Sequence, residues 1–203
     1  MVVRRRTRRV AVFAVTSALV TLFADVSFAT NFITNGDLVC TAGPTANTPC
    51  MTDTLELSWN SNLGPRYSTA VLDSLYNSYD TTDLTVSPYG VHDNSVDVFY
   101  ATADLPGDAV GRYQCVYPVP NNTYRCNHGH VTFDGAMGET LSDYQLKSVA
   151  CHETGHSVGL THGQDAYPVM ANSNDVLACL QTPLAQVVPT LGTHNTQHIN
   201  ANY

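Results

Sequence analysis

Residues 152–162 read HETGHSVGLTH and gather three of the eight histidines of this chain within one short segment. On a helix, residues four apart lie on the same face, so His152 and His156 would direct two imidazoles towards one point. Gly159 permits the positive φ that ends a helix in a sharp turn, and His162 can then return to that point from another direction. Three neutral imidazoles with one open position are typical of a catalytic zinc site, whereas a structural zinc is held by four protein ligands.

A glutamate, Glu153, lies directly beside the first of these histidines. One residue corresponds to about 100° around a helix, so the Glu153 carboxylate is expected to flank the metal rather than to ligate it. A carboxylate in that place is the expected general base for a metal-activated water that hydrolyses an amide bond. A short H-E-x-x-H motif can arise by accident on an amphipathic helix, but its continuation to Gly159 and His162 favours a catalytic metal site.

The motif is predicted to lie near the end of a long helix. Ser142, followed three residues later by Gln145, forms a capping box, and the helix is expected to run to Leu160. A second helix is predicted after Gly64-Pro65, because apolar residues recur there at helical spacing: Leu72, Leu75, Tyr76 and Tyr79. Residues 194–203 (HNTQHINANY) predict a short final helix, and the stretch before it, up to Pro189, is expected to be a loop.

Five short runs that are partly β-branched or aromatic, bounded by turn-forming or polar residues, predict strands. They are TLELSW (54–59), DLTV (83–86), SVDVFYA (95–101), AVGRYQCV (109–116) and NHGHVTFD (127–134). No internal repeat accompanies them, so one domain is expected for a chain of 203 residues.

The first 29 residues have the pattern of a secretory signal peptide. Five arginines between Arg4 and Arg9 precede an apolar stretch from Val10 to Phe23, and Ser27-Phe28-Ala29 fits a small-x-small cleavage site. Cleavage is predicted between Ala29 and Thr30. The alternative, a short buried helix, is disfavoured by the arginines at its start.

Removal of this segment would change the charge of the chain. Residues 1–29 hold five of the nine basic residues but one of the seventeen acidic residues, so the mature chain would carry a net charge of −12. Such acidity disfavours nucleic acid and anionic membranes as partners, and no apolar run reaches the roughly 18 residues of a membrane span. A secreted, extracellular monomer is therefore predicted. The protein or peptide substrate expected for it is inferred from the histidine motif and not from the charge.

All six cysteines lie after residue 29, which predicts an oxidising compartment and three disulfides. Proximity in sequence favours Cys40–Cys50 and Cys115–Cys126, which leaves Cys151–Cys179. A cysteine-rich metal site is the alternative, and the absence of any C-x-x-C spacing disfavours it.

The segment HETGHSVGLTH, with a methionine eight residues after its last histidine, resembles the metzincin metallopeptidases and is most similar to matrixins and to small secreted bacterial relatives. The resemblance implies an α+β fold with a twisted, mostly parallel sheet, an antiparallel edge strand, a long active-site helix, and a small C-terminal subdomain with a Met-turn and a final helix. Met170 matches the methionine that lies beneath the zinc in this family; an ordinary core methionine is the alternative. The resemblance covers about residues 52–203, which are the predicted catalytic domain. A polar N-terminal arm, residues 30–51, precedes this domain.

AVGRYQCVYP (109–118) resembles the edge strand of the family, along which the substrate lies antiparallel. The resemblance implies that the backbone of four residues binds substrate: Gly111, Arg112, Tyr113 and Gln114. Matrixins usually hold a second, structural zinc on this strand and the next one, but the corresponding residues here are Gln114 and Thr132, so that site is not expected.

The remaining histidines and acidic stretches are given ordinary interpretations. His92, His128 and His130 could form another metal site, but lone surface histidines are favoured. His194 and His198 are interpreted as one polar face of the final helix. The acidic stretches 104–108 and 134–139 leave bound Ca²⁺ possible, although neither matches a known calcium motif and solvated loops are favoured.

The predicted function is that of a secreted zinc-dependent endopeptidase with one catalytic Zn²⁺ and Glu153 as the general base. Two alternatives remain open: a secreted zinc-binding or adhesion module that has lost catalysis, and a zinc hydrolase of a non-peptide amide. The sequence leaves the substrate and its subsites open.

Overall fold

The computed structural model describes residues 30–35, 38–43, 48–89, 94–183 and 188–203. The predicted signal peptide, residues 1–29, and the predicted surface residue His92 both lie outside these ranges. Among the helices of the described ranges, none is long and apolar enough to cross a membrane.

Within the described ranges, six strands form one sheet at the centre of the fold. They are Met51–Thr52 (β1), Glu56–Asn62 (β2), Thr85–Pro88 (β3), Val98–Ala103 (β4), Gly111–Pro118 (β5) and Arg125–Asp134 (β6). The order is β1-β6-β4-β2-β3, and β5 also pairs with β6. Every pair is parallel except β5 with β6. The predicted α+β class, with a mostly parallel sheet and an antiparallel edge strand, is confirmed.

Four α-helices accompany the sheet in the part of the chain that the structure describes: Pro65–Asn77 (α1), Gly135–Thr140 (α2), Asp143–Ser157 (α3) and Gly192–Asn202 (α4). Helix α1 begins with proline, whose φ is preset for a first helical turn. It buries one face at helical spacing and packs against α3, which in turn contacts β5 and β6.

The capping box that starts α3 is present with both of its hydrogen bonds. The Ser142 hydroxyl accepts from the Gln145 backbone N–H at 3.3 Å, and the Gln145 side chain accepts from the Ser142 N–H at 2.9 Å. The helix ends at Ser157 rather than at Leu160, because the Gly155 carbonyl accepts from both Val158 and Leu160 as the chain turns. Almost all of its second half is buried, so α3 is the central helix of the fold.

The stretch 134–139 is a helix start rather than a solvated loop, so that prediction was wrong. The Asp134 side chain accepts from the Met137 N–H at 2.7 Å and thereby caps α2. The same carboxylate accepts from the Leu105 N–H at 2.8 Å, which ties the loop after β4 to the end of β6.

The N-terminal arm is built into the domain. Phe32 and Ile33 are fully buried, and Phe32 forms an antiparallel bridge with Leu160. The Ile33 N–H donates to the Gly159 carbonyl at 2.9 Å. The arm therefore packs directly on the turn that follows α3.

Three disulfides join the cysteine pairs that the sequence favours: Cys40–Cys50, Cys115–Cys126 and Cys151–Cys179. The third bridge ties the middle of α3 to a 3₁₀ segment, Asp175–Leu180, where a featureless loop was expected. Its separation of 28 residues makes it the longest-range of the three.

Candidate metal centre

Helix α3 and the turn after it bring the three histidines of the motif together. His152 and His156 are on the buried second half of α3, and His162 follows the turn. At that turn Gly159 has φ +91°, which a side chain rarely permits. A Cβ on Gly159 would also lie 2.9 Å from the side chains of Phe32 and Met51, so only glycine fits there.

The three imidazoles face one another through their Nε2 atoms. The Nε2 atom of His152 lies 3.1 Å from that of His156 and 3.0 Å from that of His162. One ring nitrogen of each of the three residues falls within 4.8 Å of the others. Distances of this size suit a single ion with nitrogen ligands at about 2.0–2.1 Å.

In two of these rings, a hydrogen bond at Nδ1 determines which ring nitrogen carries the proton. The Nδ1 atom of His152 is 2.8 Å from the Cys179 carbonyl, and the Nδ1 atom of His156 is 2.8 Å from the Leu160 carbonyl. A carbonyl oxygen can only accept, so each Nδ1 carries the ring proton and each Nε2 presents a lone pair. Two lone pairs 3.1 Å apart repel each other unless a cation lies between them. The donor set therefore fits a bound metal ion.

Burial keeps all three rings neutral, which is the form that ligates a metal. It lowers the pKa of His152 to about 3, with a further contribution from neighbouring His162. It also lowers the pKa of His156 well below its ordinary value and lowers that of His162.

Glu153 lies against the edge strand, beside the triad. A Cβ on Gly111 would be 2.8 Å from Cγ of Glu153 and 2.7 Å from a methyl group of Val149, so the absence of a side chain there lets α3 approach β5. Burial raises the pKa of the Glu153 carboxyl to about 8, against the opposing effects of the hydrogen bond from the Tyr113 backbone and of the Arg112 charge.

A cleft of about 380 Å³ opens in front of the triad and Glu153. Its walls include the three histidines of the triad and Glu153. They also include the start of β5 and the three residues before that strand: Asp108, Ala109, Val110, Gly111, Arg112 and Tyr113. Thr182 and Pro183 form the opposite side. The arrangement offers a polar reaction centre beside the backbone of an edge strand.

Met170 lies eight residues after His162, where the chain turns back towards Gly163. Its N–H donates to the Gly163 carbonyl at 2.9 Å, and its side chain packs against the core cluster. A Cβ on Gly163 would come within 2.6 Å of the Ala171 carbonyl oxygen, so the turn depends on this glycine as well.

A second pair of histidines lies on β6, at His128 and His130. Their Nε2 atoms are 3.0 Å apart, and Nδ1 of His128 is 2.6 Å from the Val96 carbonyl. With its Nδ1 proton directed to the Val96 carbonyl, His128 presents an Nε2 lone pair that can accept an N–H from His130. His128 is 2% exposed, so its interpretation as a surface histidine was wrong.

Among the described residues, one further group has the composition of a metal site: the sulfur atoms of Cys40, Cys115 and Cys126. All three belong to disulfides, so none is a thiolate that could bind zinc. No cluster of three carboxylates is found in the described ranges, and the bound calcium considered from the sequence gains no support.

The carbonyls of Cys179 and Leu160, which orient two of the imidazoles, were not identified from the sequence. Every residue has a carbonyl, so no side-chain pattern marks these two. Thr182 and Pro183 in the cleft wall were missed for a similar reason, because they reach the site through tertiary folding of a loop.

Residues 93–185 match the family model described as Matrixin, Peptidase_M10. That range contains the triad, Glu153 and Met170, and the predicted resemblance to matrixins is thereby confirmed for this part of the chain. Among solved structures, the crystal structure of myroilysin is similar, with a TM-score of 0.48, 13% sequence identity, and coverage of 80% of this chain and 89% of that chain. No curated protein matches the chain significantly in sequence.

Proposed function

We propose that this chain, which is matrixin-like over residues 93–185, is a secreted zinc endopeptidase. One observation carries the proposal: the Nε2 lone pairs of His152 and His156 face each other at 3.1 Å, beside a cleft that also holds Glu153. The matrixin match supports peptide hydrolysis as the reaction.

The side chains at the centre fit Zn²⁺. His152, His156 and His162 would hold it through their Nε2 atoms, and the carbonyls behind two of the rings keep those nitrogens unprotonated. A zinc ion supplies Lewis acidity when bound, which lowers the pKa of a coordinated water and polarises a substrate carbonyl. Three protein ligands would leave a bound ion accessible to a water molecule and to the substrate carbonyl.

Glu153 is the group placed to move the proton. Its carboxylate faces the cleft next to His152, where it takes a proton from the attacking water and later returns it to the departing amine. Burial raises the pKa of the Glu153 carboxyl to about 8, and the Tyr113 N–H and the Arg112 charge oppose that rise. A carboxyl whose pKa lies close to neutral pH can both take up and return a proton. A substrate peptide lies along the backbone of β5 at the mouth of the cleft.

Secretion is part of the same proposal. Residues 1–29 are inferred to be the signal peptide, with cleavage before Thr30. Thr30 exchanges two backbone hydrogen bonds with Tyr167, at 2.8 and 2.9 Å, so the residue that would become the new N-terminus is itself bound to the domain. Three disulfides suit an oxidising compartment.

The test is cleavage of a fluorogenic peptide library by the chain carrying bound zinc. We expect cleavage that a chelator stops and that added Zn²⁺ restores. The Glu153→Gln variant should keep its zinc and lose about 10²–10⁴-fold in rate, because the general base is removed. Glu139→Gln is the matched control, since the Glu139 side chain is 64% exposed on α2 and should leave the rate unchanged.

Other outcomes would favour the alternatives. Zinc uptake without cleavage of any peptide supports a zinc-binding module. Hydrolysis of small non-peptide amides alone supports an amidase. Full activity of Glu153→Gln would rule out the assigned general base.

A further inference from the structure

The edge strand β5 offers few of its backbone groups to a substrate. The Val110 carbonyl accepts from the Asp134 N–H at 3.0 Å, which fixes the direction of the β5 hydrogen bonds. In an antiparallel pair, residues alternate between bonding the neighbouring strand and facing away from it. In the register of β5 with β6, three residues therefore turn their backbone groups away from β6: Gly111, Tyr113 and Cys115.

The outward-facing backbone of Cys115 is already paired with the N-terminal arm. Ala42 forms a parallel bridge with Cys115, and the Gln114 side chain donates to the Gly43 carbonyl at 2.6 Å. We call residues 38–43 and 48–50 the arm segment. It covers the edge at Cys115 and leaves Gly111 and Tyr113 facing the cleft.

The arm segment is held in place from both ends. The Cys40–Cys50 disulfide closes it, and the Cys40 N–H donates to the Thr123 carbonyl at 2.7 Å. The Cys50 N–H donates to the His156 carbonyl at 2.9 Å, so the segment is attached to α3 at one of the three histidines. A wall fixed by these bonds does not move aside at low cost.

The same segment also bounds the space on the far side of the triad. A cavity of about 250 Å³ has the arm residues Leu38, Thr48 and Pro49 on one side and His156, His162 and Asp165 on the other. The larger cleft opens in the other direction, towards Asp108 and Pro183. The triad thus has the larger cleft on one side and, on the other, a smaller cavity with the arm as one wall.

The spacing along β5 sets how many substrate residues fit. The Glu153 carboxylate accepts from the Tyr113 N–H, and its Oε1 atom lies 2.9 Å from where a Cβ on Gly111 would be. The scissile bond is therefore placed beside the stretch from Gly111 to Tyr113. Cys115 is two residues further on, which is about 7 Å along a strand. Antiparallel addition is the more stable form of pairing, and it places the substrate residues N-terminal to the scissile bond at the Cys115 end.

We propose that the arm segment is a length stop that limits the substrate to about two residues on the N-terminal side of the scissile bond. The proposal rests on the proposed function and adds a substrate class to it: peptides that are cut close to their N-terminus, or that make few contacts on that side. The C-terminal side of the substrate, towards Asp108 and Pro183, has no such stop among the described residues.

The primary test measures peptide binding rather than cleavage, so that its result does not depend on catalysis. The zinc-loaded Glu153→Gln protein is titrated with two series of fluorescent peptides. In one series the N-terminal side grows from one to five residues, and in the other the C-terminal side grows. We expect affinity to rise to two N-terminal residues and then to stay level or fall about tenfold, while C-terminal extension continues to improve it.

Two variants in the Glu153→Gln background release the stop in different ways. Cys40→Ser with Cys50→Ser opens the loop, and should raise the affinity for the peptide with five N-terminal residues at least tenfold relative to the peptide with two. Gln114→Ala keeps the disulfide and removes the bond to Gly43, so a smaller shift in the same direction is expected. Gln197→Ala on the exposed face of α4 is the control and should leave the length profile unchanged.

The outcomes separate the two proposals. A tenfold or greater gain in affinity from two to five N-terminal residues, with the arm intact, overturns the length stop, and so does a failure of the zinc-loaded protein to bind any peptide. Binding that obeys the limit, with no cleavage by the unaltered chain, upholds the length stop and refutes the hydrolysis.

Discussion

The turn at Gly159 is where the fold and the metal centre depend most directly on one residue. Gly159 has φ +91°, and a Cβ there would lie 2.9 Å from both Phe32 and Met51. The next residue, Leu160, presents the carbonyl that orients the His156 ring. Gly159→Ala therefore perturbs the backbone, the packing of the N-terminal arm and one metal ligand at once.

The cost of Gly159→Ala can be estimated from these contacts. A left-handed backbone costs an alanine about 1–2 kcal/mol, and the loss of unfolded-state entropy returns about 0.4–1 kcal/mol. Forcing a methyl group against a packed core costs about 1–3 kcal/mol. The free energy of unfolding should fall by about 3 kcal/mol, since Phe32 and Met51 are both buried and have little space to retreat.

Two other glycines separate these contributions. Gly107 has φ +69° but nothing within 4 Å of a Cβ, so Gly107→Ala should cost about 1 kcal/mol from the backbone alone. Gly135, at the start of α2, has an ordinary φ and open space, so Gly135→Ala should change stability by less than about 0.5 kcal/mol.

Urea unfolding of the three metal-free variants measures these differences, and competition with a zinc-binding dye measures the metal affinity. Displacement of the Leu160 carbonyl should weaken zinc binding by Gly159→Ala about 10–100-fold, as for other residues that orient a ligand. The reasoning fails if Gly159→Ala is no less stable than Gly107→Ala, or if its zinc affinity equals that of the unaltered chain.

Two further predictions concern stability alone. Replacing Cys151 and Cys179 by alanine opens a loop with a separation of 28 residues and should lower the free energy of unfolding in urea by about 3.5 kcal/mol. The same replacement of Cys40 and Cys50, with a separation of 10, should lower it by about 2.7 kcal/mol, and equal losses would contradict this. Burial raises the pKa of the Asp97 carboxyl from 3.8 to about 6, and Asp53 adds to the rise against the hydrogen bonds from Ser58. The folded chain therefore binds this proton more tightly than the unfolded chain, and the resulting stability, at most about 3 kcal/mol, is present below pH 4 and is lost as the pH rises through 6. Asp97→Asn should remove that loss of stability. The prediction is refuted if the free energies of unfolding of the variant and the unaltered chain change in parallel from pH 4 to 7.

The parts of the fold that could be predicted from the sequence are those with local causes. The start of α3 was predicted because Ser142 and Gln145 satisfy each other's backbone within one turn. The histidine spacing likewise places two imidazoles on one face of the helix without reference to the rest of the chain. Strand β4 was located from its β-branched and aromatic residues, although it begins at Val98 rather than at Ser95.

The parts that could not be predicted depend on distant partners. Phe32 and Ile33 belong to a polar, turn-rich stretch, and their burial follows from contact with a turn more than 120 residues later in the chain. The acidic composition of 134–139 suggested a loop, whereas Asp134 is engaged as a helix cap. The arm segment's bridge to Cys115 joins two stretches with no shared pattern, so the position of the arm beside the edge strand was not foreseen.

The claim that three imidazoles hold one ion is tested most directly by the zinc X-ray absorption spectrum of the purified chain. We expect one zinc per chain at this centre, with imidazole nitrogens at about 2.0 Å and one or two further light atoms, and no sulfur. Sulfur ligands at about 2.3 Å would place the metal among the cysteines, and a folded chain that takes up no zinc would contradict the account altogether.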